Sequence, residues 1–267
     1  MIIKHILKKN KLLKNIYKNQ DCFIFGNGSS IKQYDLTKFS NQKAFSCGWL
    51  FLHKDYKYLN IVADFEIHPG IFFPFWKNEY NNNFEFNNIN SIFKKRGRLN
   101  YPIYFFSSLI NLPGLFAYKN VHYLYHFGKK KFDQEYVDPS YKFSMMENSL
   151  YSMIGIASFM GFKNIYLVGM DYLLDKPLTG HFYENFQNET KQSDEVKLKN
   201  IKFFDYFKTK NNFKLIVSDN KHKSFLDTIE YKDYFNSNYL NNSNYDIIFE
   251  NDLDLLNRTN LKYKIFD

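Results

Sequence analysis

The stretch DCFIFGNGSS, residues 21–30, decides the fold. An apolar run that ends in a Gly-Asn-Gly-Ser-Ser turn predicts a buried strand followed by a tight turn and a helix start. In an open α/β sheet such a turn lies at the carboxyl end of a strand, where ligands bind. Glycine lets the backbone approach a phosphate, and amides at a helix start can bind it. An ordinary tight turn stays the alternative, because the motif lacks a third glycine and a following lysine.

A second informative stretch, GFKNIYLVGMDY, covers residues 161–172 and is followed by HFYE at 181–184. Residues 147–161 have an apolar helical pattern that ends at Gly161, a residue suited to the C′ position of a helix. Residues 164–169 then predict a buried strand that leads to a polar edge.

Further strands are predicted at 43–47, 60–64, 102–106, 121–125 and 213–217, and further helices at 30–39 and 194–210. This alternation predicts an α/β fold with a mostly parallel sheet flanked by helices. We expect a basic amphipathic helix at 1–19, one catalytic domain at 20–235 and a tail at 236–267 packed on that domain. The 267 residues are enough for such a core.

The composition limits the partners and the compartment. With 36 Lys and Arg against 27 Asp and Glu, the net charge is +9, which favours anionic partners, although solvated lysines explain it equally well. The only cysteines, Cys22 and Cys47, give neither a disulfide framework nor metal-ligand spacing, as in a reducing cytosol. A signal peptide and a membrane span are not expected, so we predict a cytoplasmic protein.

Two basic segments have alternative interpretations. The helix predicted at 1–19 has an apolar stripe among lysines, which suits the anionic inner face of the cytoplasmic membrane or simple packing on the domain. The basic cluster at 94–98 either guides a phosphorylated acceptor or only solvates a loop.

His181 is the candidate general base, because histidine exchanges a proton near neutral pH. Glu184 could orient it, and a structural or exposed histidine is the alternative. His122 and His126 have i, i+4 spacing, but a strand is predicted there and no third ligand is evident, so a zinc site is rejected.

These motifs resemble the CMP-sugar-dependent sialyltransferases, especially the bacterial lipooligosaccharide enzymes. Residues 26–30 are similar to their Gly-Asn-Gly-Pro-Ser turn, Cys47-Gly48 to their Cys-Asn, and 68–73 to their polar-Pro-x-x-Phe-Phe segment. Residues 160–171 match the strand that follows a helix opened by a Thr-Ser-Gly turn. HFYE resembles the His-Tyr-Tyr-Glu motif of some animal sialyltransferases, whose histidine is catalytic. The resemblance covers roughly residues 20–220.

The resemblance implies a Rossmann-like, sialyltransferase-like glycosyltransferase fold with a lid at about 173–193. It implies an inverting, metal-independent enzyme with no cofactor, which uses a CMP-sugar donor and a glycan or glycolipid acceptor in lipopolysaccharide or capsule synthesis. His181 and Glu184 would be catalytic. The residues expected to bind the nucleotide sugar are Gly26, Asn27, Gly28, Ser29, Ser30, Cys47, Gly48, His68, Asn148, Ser149, Gly169, Asp171, Tyr172 and Tyr183.

Three departures from the family pattern leave the sugar open. Ser29 replaces proline, Gly48 replaces an asparagine expected near the donor, and Met145-Met146 stands where an arginine is expected. Sialic acid, Kdo or another nonulosonate therefore fits the resemblance.

Two other functions stay open. A broader group related to a pterin pyrophosphokinase family shares the turn and the Gly-x-Asp strand, which implies Mg²⁺-dependent pyrophosphoryl transfer with Asp64 and Asp171 as ligands. A non-catalytic nucleic-acid-binding protein is the other, but no known nucleic-acid motif is present, so nucleic acid is not expected as a partner. The abundant aromatic residues leave room for a homo-oligomer interface.

Overall fold

A computed structural model describes residues 2–68, 72, 102–126, 132–177, 180–184, 193–219, 221–238 and 244–251. The basic cluster at 94–98 and most of the tail at 236–267 lie outside the described residues. The same holds for 178–179 and 185–192 in the segment predicted as a lid.

The described residues form one β-sheet. Its strands are β1 (Asp21–Phe25), β2 (Lys43–Cys47), β3 (Asn60–Glu66), β4 (Tyr104–Ser108), β5 (Val121–Leu124), β6 (Asn164–Val168), β7 (Asn212–Val217) and β8 (Thr228–Glu230). Their order in the sheet is β5-β4-β3-β2-β1-β6-β7-β8. The pairs β3–β4, β4–β5, β1–β6, β6–β7 and β7–β8 are parallel. The predicted α/β fold with a mostly parallel sheet is confirmed, and β8 is a strand that the sequence pattern did not predict.

Helices connect and flank these strands. In the described part of the chain, the α-helices are α1 (Ile2–Lys8), α2 (Leu112–Leu115), α3 (Ser149–Phe159), α4 (Asp194–Lys208), α5 (Tyr231–Phe235) and α6 (Asn244–Ile247). The 3₁₀ helices are Lys9–Leu13, Ser29–Gln33, Leu36–Phe39, Leu50–Leu52, Lys54–Tyr58, Leu109–Asn111 and Asp171–Leu173. The helices predicted at 147–161 and 194–210 are confirmed as α3 and α4. The helix predicted at 30–39 is instead two 3₁₀ helices, because Ser29 and Ser30 bond to Asp171 rather than cap an α-helix.

The chain divides into two compact units. The first unit comprises Met1–Gln20, Phe45–Cys47 and Ile61–Phe162, and the second comprises Asp21–Ala44, Gly48–Asn60 and Lys163–Asp267. The domain limits predicted at residues 20 and 235 stay a prediction.

In the first unit, the N-terminal segment is bonded to β5 through the buried side chain of Asn10. Asn10 is fully buried, and its Nδ2 donates to the carbonyl oxygens of Tyr123 and Pro139 at 2.9 and 2.8 Å. The amides of Asn15 and Tyr17 donate to the carbonyls at the end of α3. The α-helix ends at Lys8, far short of the predicted residue 19, because the chain continues as a 3₁₀ helix and turns to meet α3.

Every residue of helix α3 from 150 to 157 is buried. The helix therefore has no solvent-facing polar side along this stretch, unlike an amphipathic helix at a protein surface. Asn148 caps its start, with Oδ1 accepting from the Tyr151 amide at 2.8 Å. Gly161 follows its end with φ +89°, a conformation that favours glycine. The predicted helix stop is therefore confirmed.

In the second unit, β1 and β6 form the centre of the core. All residues of β1 after Asp21 are fully buried, and Phe23 stacks on Tyr166 of β6 with ring centroids 4.6 Å apart. Phe39 packs edge-on against both Phe23 and Phe25. These contacts fix the register in which the carboxyl ends of β1 and β6 lie side by side, with Phe25 opposite Val168.

Candidate functional site

The candidate site lies where the strand order reverses. The chain passes from β1 to β2 on one side, whereas β6 lies on the other side of β1. In open parallel sheets, ligands bind in the crevice outside the carboxyl ends of the strands at such a switch point. Residues 26–30 follow β1, and residues 169–171 follow β6.

The two glycines of the turn after β1 are bonded to the end of β6. The Gly26 amide donates to the Val168 carbonyl at 2.8 Å, and the Gly28 amide donates to the Gly169 carbonyl at 2.9 Å. A Cβ on Gly26 would lie 2.5 Å from the Gly169 oxygen, so glycine is needed for this close approach. These two amides are therefore bonded within the protein, and the predicted contact of the turn with a phosphate stays a prediction.

Asp171 holds the serines of the same turn. Its Oδ2 accepts from Ser29 Oγ at 3.0 Å and from the Ser30 amide at 2.8 Å, and its Oδ1 accepts from Ser30 Oγ. Burial raises the pKa of the Asp171 carboxyl, and the hydrogen bonds from Ser30 and Ser29 oppose that rise. The carboxylate faces the turn, and its predicted contact with a donor stays a prediction.

Asn27 and Gly48 lie against each other. Gly48 has φ +59°, and a Cβ there would lie 2.4 Å from Asn27 Nδ2. The asparagine that the family resemblance leads one to expect at residue 48 has no room while Asn27 keeps this position. The departure from the family pattern at Gly48 therefore fits the position of Asn27 in this structure.

His181 is fixed by Glu184 through two hydrogen bonds. His181 Nδ1 lies 2.8 Å from Glu184 Oε1, and the His181 amide donates to Glu184 Oε2 at 3.0 Å. The Glu184 side chain is 3 % exposed, whereas the His181 side chain is 38 % exposed. The Tyr183 ring stacks on the imidazole with centroids 5.0 Å apart and planes 7° apart. A buried carboxylate thus orients a ring that solutes can reach.

The histidine segment is bonded to the turn after β1. Gly28 and His181 form an isolated antiparallel bridge, and the Phe182 amide donates to the Asn27 carbonyl at 2.9 Å. Lys32 Nζ donates to the Glu184 carbonyl oxygen at 2.6 Å. The structure therefore joins the two motifs that are most widely separated in the sequence.

Other candidates of the second unit have different surroundings. Tyr172 lies in the 3₁₀ turn after β6 and is 39 % exposed, whereas Tyr183 is 7 % exposed. Gly169 has φ +66°, and a Cβ there would lie 2.6 Å from the Ile31 side chain.

Four candidates lie in the first unit. Cys47 ends β2 with a buried thiol, and Asn148 and Ser149 form the cap and the first turn of α3. The amide of His68 donates to Glu66 Oε1 at 3.3 Å, and its carbonyl accepts from the buried Asn111 at 2.9 Å. Their predicted contacts with a donor stay predictions.

Two contributors were missed by sequence reasoning. Lys32 reaches Glu184 across 152 residues of sequence, and burial lowers its pKa while the Glu184 charge raises it. His53 packs against Phe182 with ring centroids 5.8 Å apart. No local pattern signals either contact, since only the fold brings these segments together.

No group of three or more His, Cys, Asp or Glu side chains that could hold a metal ion occurs among the described residues. Asp64, the other proposed Mg²⁺ ligand, accepts from Ser46 Oγ at 2.9 Å within the first unit. Within the same described part, no helix is long and apolar enough to cross a membrane.

Solved structures with a similar fold exist, although no protein-family model and no curated protein matches the chain. The fold is similar to that of sialyltransferases. The sialyltransferase CstII from Campylobacter jejuni, in complex with CMP-3FNeuAc, is 18 % identical, with 86 % of this chain and 94 % of that chain covered and a TM-score of 0.46. The monofunctional alpha-2,3-sialyltransferase Cst-I of the same organism is 19 % identical, with 90 % and 96 % covered and a TM-score of 0.44.

A third structure, CstII in complex with cytidine-5'-monophosphate, is 20 % identical, with 74 % of this chain and 80 % of that chain covered and a TM-score of 0.43.

Proposed function

We propose that the protein is a glycosyltransferase that moves sialic acid or a related acidic sugar, such as Kdo or another nonulosonate, from CMP to a glycan hydroxyl. The observation that carries the proposal is the bonding of His181 to the turn at the β1–β6 switch point. A candidate base, its orienting carboxylate and a candidate nucleotide-binding turn belong to one connected structure. The donor class comes from the motif resemblance.

The arrangement suits removal of a proton from an acceptor hydroxyl. With Glu184 Oε1 2.8 Å from Nδ1, we assign the proton of the neutral imidazole to Nδ1. Nε2 then keeps its lone pair and takes the acceptor proton. The acceptor oxygen bonds to the anomeric carbon as the bond from that carbon to the CMP phosphate oxygen breaks. The electron pair of that bond leaves with CMP, and attack opposite CMP inverts the configuration.

The remaining candidates fit supporting roles. Asn27 and the amide of Ser29 would contact the nucleotide, because the amides of Gly26, Gly28 and Ser30 are already bonded within the protein. Tyr172, which is 39 % exposed, would stabilise charge on the leaving phosphate through its hydroxyl. The segment 173–193 would close over the donor.

The acceptor would be a lipid-linked bacterial surface glycan, used at the inner face of the cytoplasmic membrane. The first 20 residues contain six lysines and no acidic residue, and Ile3, Leu12 and Ile16 are exposed among them. Cations interleaved with exposed apolar side chains suit the surface of an anionic bilayer.

A panel of nucleotides tests the proposal. Melting temperatures are measured with CMP, CDP, UDP, GDP and ATP, each with Mg²⁺ or with EDTA, since a ligand that binds the folded state raises the melting temperature. Stabilisation by CMP that is selective and independent of metal is expected, and donor assays with CMP-sialic acid and CMP-Kdo would follow. Stabilisation by ATP only with Mg²⁺, and none by CMP, would overturn the proposal in favour of phosphoryl transfer.

A further inference from the structure

The buried carboxylate after β6 has no assigned part in the proposed chemistry. Asp171 is 5 % exposed, so it is poorly placed to touch a ligand. We infer that Asp171 is a positioning residue, whose carboxylate fixes the turn at 26–30 and, through that turn, the segment that carries His181. This inference rests on the proposed function, because it assigns the turn to the donor and His181 to the acceptor.

The first step is the attachment of the turn to Asp171. Both carboxylate oxygens are used, with Oδ2 accepting from Ser29 and from the Ser30 amide, and Oδ1 accepting from Ser30 Oγ. A Cβ on Gly28 would lie 2.6 Å from Oδ2, so the carboxylate also packs directly against the turn. An ionised aspartate only accepts hydrogen bonds, which suits three donors converging on it.

The second step is the attachment of His181 to the turn. The bridge between Gly28 and His181 and the bond from the Phe182 amide to the Asn27 carbonyl hold the start of the HFYE segment. Both attachment points on the turn are within three residues of Ser30. A shift of the turn would therefore displace the imidazole.

Lys32 attaches the other end of the HFYE segment to the turn. Lys32 belongs to the 3₁₀ helix that starts at Ser29, and its ammonium donates to the Glu184 carbonyl. Asp171 thus anchors Ser29 and Ser30, which lie in the chain between Gly28, bonded to the start of the HFYE segment, and Lys32, bonded to its end. Since a displacement of about 1 Å in a reacting group can reduce a rate on the order of a hundredfold, this anchor would affect turnover without touching a substrate.

The test compares hydrogen exchange, CMP affinity and turnover in the full chain. Asp171→Ala removes all three hydrogen bonds, whereas Asp171→Asn keeps an acceptor for the Ser30 amide and turns its NH₂ towards Ser30 Oγ. Asp205→Ala is the matched control, because Asp205 lies in α4, is 58 % exposed and pairs with Lys208 on the same helix. Exchange is followed in peptides that cover 26–34 and 180–184, with and without CMP.

For Asp171→Ala we expect exchange to rise at least about tenfold in both peptides, and kcat to fall about tenfold or more. CMP should protect residues 180–184 in the wild-type protein and in Asp171→Asn, and this protection should be lost in Asp171→Ala. The Asp205→Ala protein should behave as the wild type. The loss of CMP-dependent protection at the histidine segment is a readout that a purely structural residue would not change.

A folded Asp171→Ala protein that keeps wild-type exchange and CMP-dependent protection at 180–184 would overturn the inference. If that variant does not fold, Ser29→Ala combined with Ser30→Ala keeps the amide bond to Asp171, and unchanged exchange in both peptides would overturn it equally. A wild-type protein that does not bind CMP would count against the proposed function, whereas the exchange of 180–184 without ligand would still decide the positioning role.

Discussion

Glu184 binds His181 with both carboxylate oxygens, one at the ring and one at the backbone amide. The carboxylate is buried and the ring is partly exposed, so the pair separates the orienting group from the group that meets the substrate. This division of roles is common to bases that depend on a neighbouring carboxylate for their tautomer. The roles of Glu184 and His181 can therefore be tested separately by substitution.

Replacing Glu184 should lower turnover more than it lowers donor affinity. In Glu184→Gln, the amide can present an NH₂ to Nδ1, which favours the tautomer with its proton on Nε2 and blocks the base. We expect kcat to fall about ten- to a hundredfold, within the usual range for loss of general base catalysis. The measurement is kcat and KM for sugar transfer from the CMP donor between pH 5.5 and 9.

Glu195→Gln is the control, because Glu195 is exposed in the first turn of α4. An unchanged kcat in Glu184→Gln would mean that the carboxylate does not set the tautomer of the imidazole.

Removing His181 should abolish most of the transfer but leave the donor bound. General base catalysis contributes about 10²- to 10⁴-fold, so kcat of His181→Ala should fall by that factor. The Kd for CMP, measured by calorimetry, should stay within about threefold, because the nucleotide contacts proposed lie on Asn27 and Ser29. The exposed His5 provides the matched control, His5→Ala. A tenfold weaker CMP affinity with normal kcat would assign His181 to donor binding instead.

Features of the fold and of the site that depend on local sequence could be predicted, whereas those that depend on long-range contacts could not. The strand that ends at Phe25 and the helix stop at Gly161 follow from local rules, apolar runs and a glycine with positive φ, and both are confirmed. The bonds from the turn to Asp171 and from Lys32 to Glu184 join residues more than 140 positions apart in the sequence. The α-helix predicted at 30–39 from local pattern is wrong. Ser29 and Ser30, which would usually cap an α-helix, instead donate to the carboxylate of Asp171.

Restoring the family asparagine at Gly48 should destabilise this protein. The new Cβ would lie 2.4 Å from Asn27 Nδ2, so Asn27 must move. We expect Gly48→Asn to cost about 1–3 kcal/mol of unfolding free energy, as overpacking usually does. Urea unfolding measures this cost.

A double variant separates the clash from the backbone strain at residue 48. Asn27→Ala removes the side chain that the new asparagine meets, so Asn27→Ala with Gly48→Asn should lose less than the sum of the single losses. If the losses of unfolding free energy are strictly additive, the contact with Asn27 is not the reason that position 48 needs glycine.

Acid should destabilise the fold through two buried histidines. Burial lowers the pKa of His53 to about 4 and that of His122 to about 3, with Lys54 and Lys9 as the next causes. In the unfolded chain both titrate near 6.5, so below that pH the unfolded state binds more protons than the folded state. Their stabilising contribution is therefore complete above pH 6.5 and is lost as the pH falls towards the folded values.

The check is the free energy of unfolding in urea at pH 5, 6 and 7. Between the two pKa values each histidine contributes a slope of up to about 1.4 kcal/mol per pH unit. His53→Gln should reduce the slope by that amount, whereas His5→Gln, at an exposed position, should not. A slope unchanged by His53→Gln would mean that this ring is protonated in the folded protein.

The N-terminal lysines should decide binding to anionic vesicles. Lys8, Lys11 and Lys14 are exposed beside Leu12, which is 77 % exposed, while Leu7 and Leu13 are buried in the first unit. Each lysine near an anionic surface contributes about 1 kcal/mol, so replacing these three by glutamine should weaken vesicle binding on the order of a hundredfold. Co-sedimentation with vesicles of about one-third phosphatidylserine measures the partition coefficient.

A second triple variant has the same charge change at another place. Lys208, Lys210 and Lys214 are also exposed, at the end of α4, in the turn after it and in β7. Their replacement by glutamine should leave vesicle binding nearly unchanged. Binding of the wild-type protein should weaken as salt rises, because exposed charges are screened beyond about 8–10 Å at 0.1–0.15 M salt. Leu12→Ser should weaken the binding that persists at high salt. Equal losses in the two lysine variants would show that net charge, rather than the N-terminal surface, attracts the protein to the membrane.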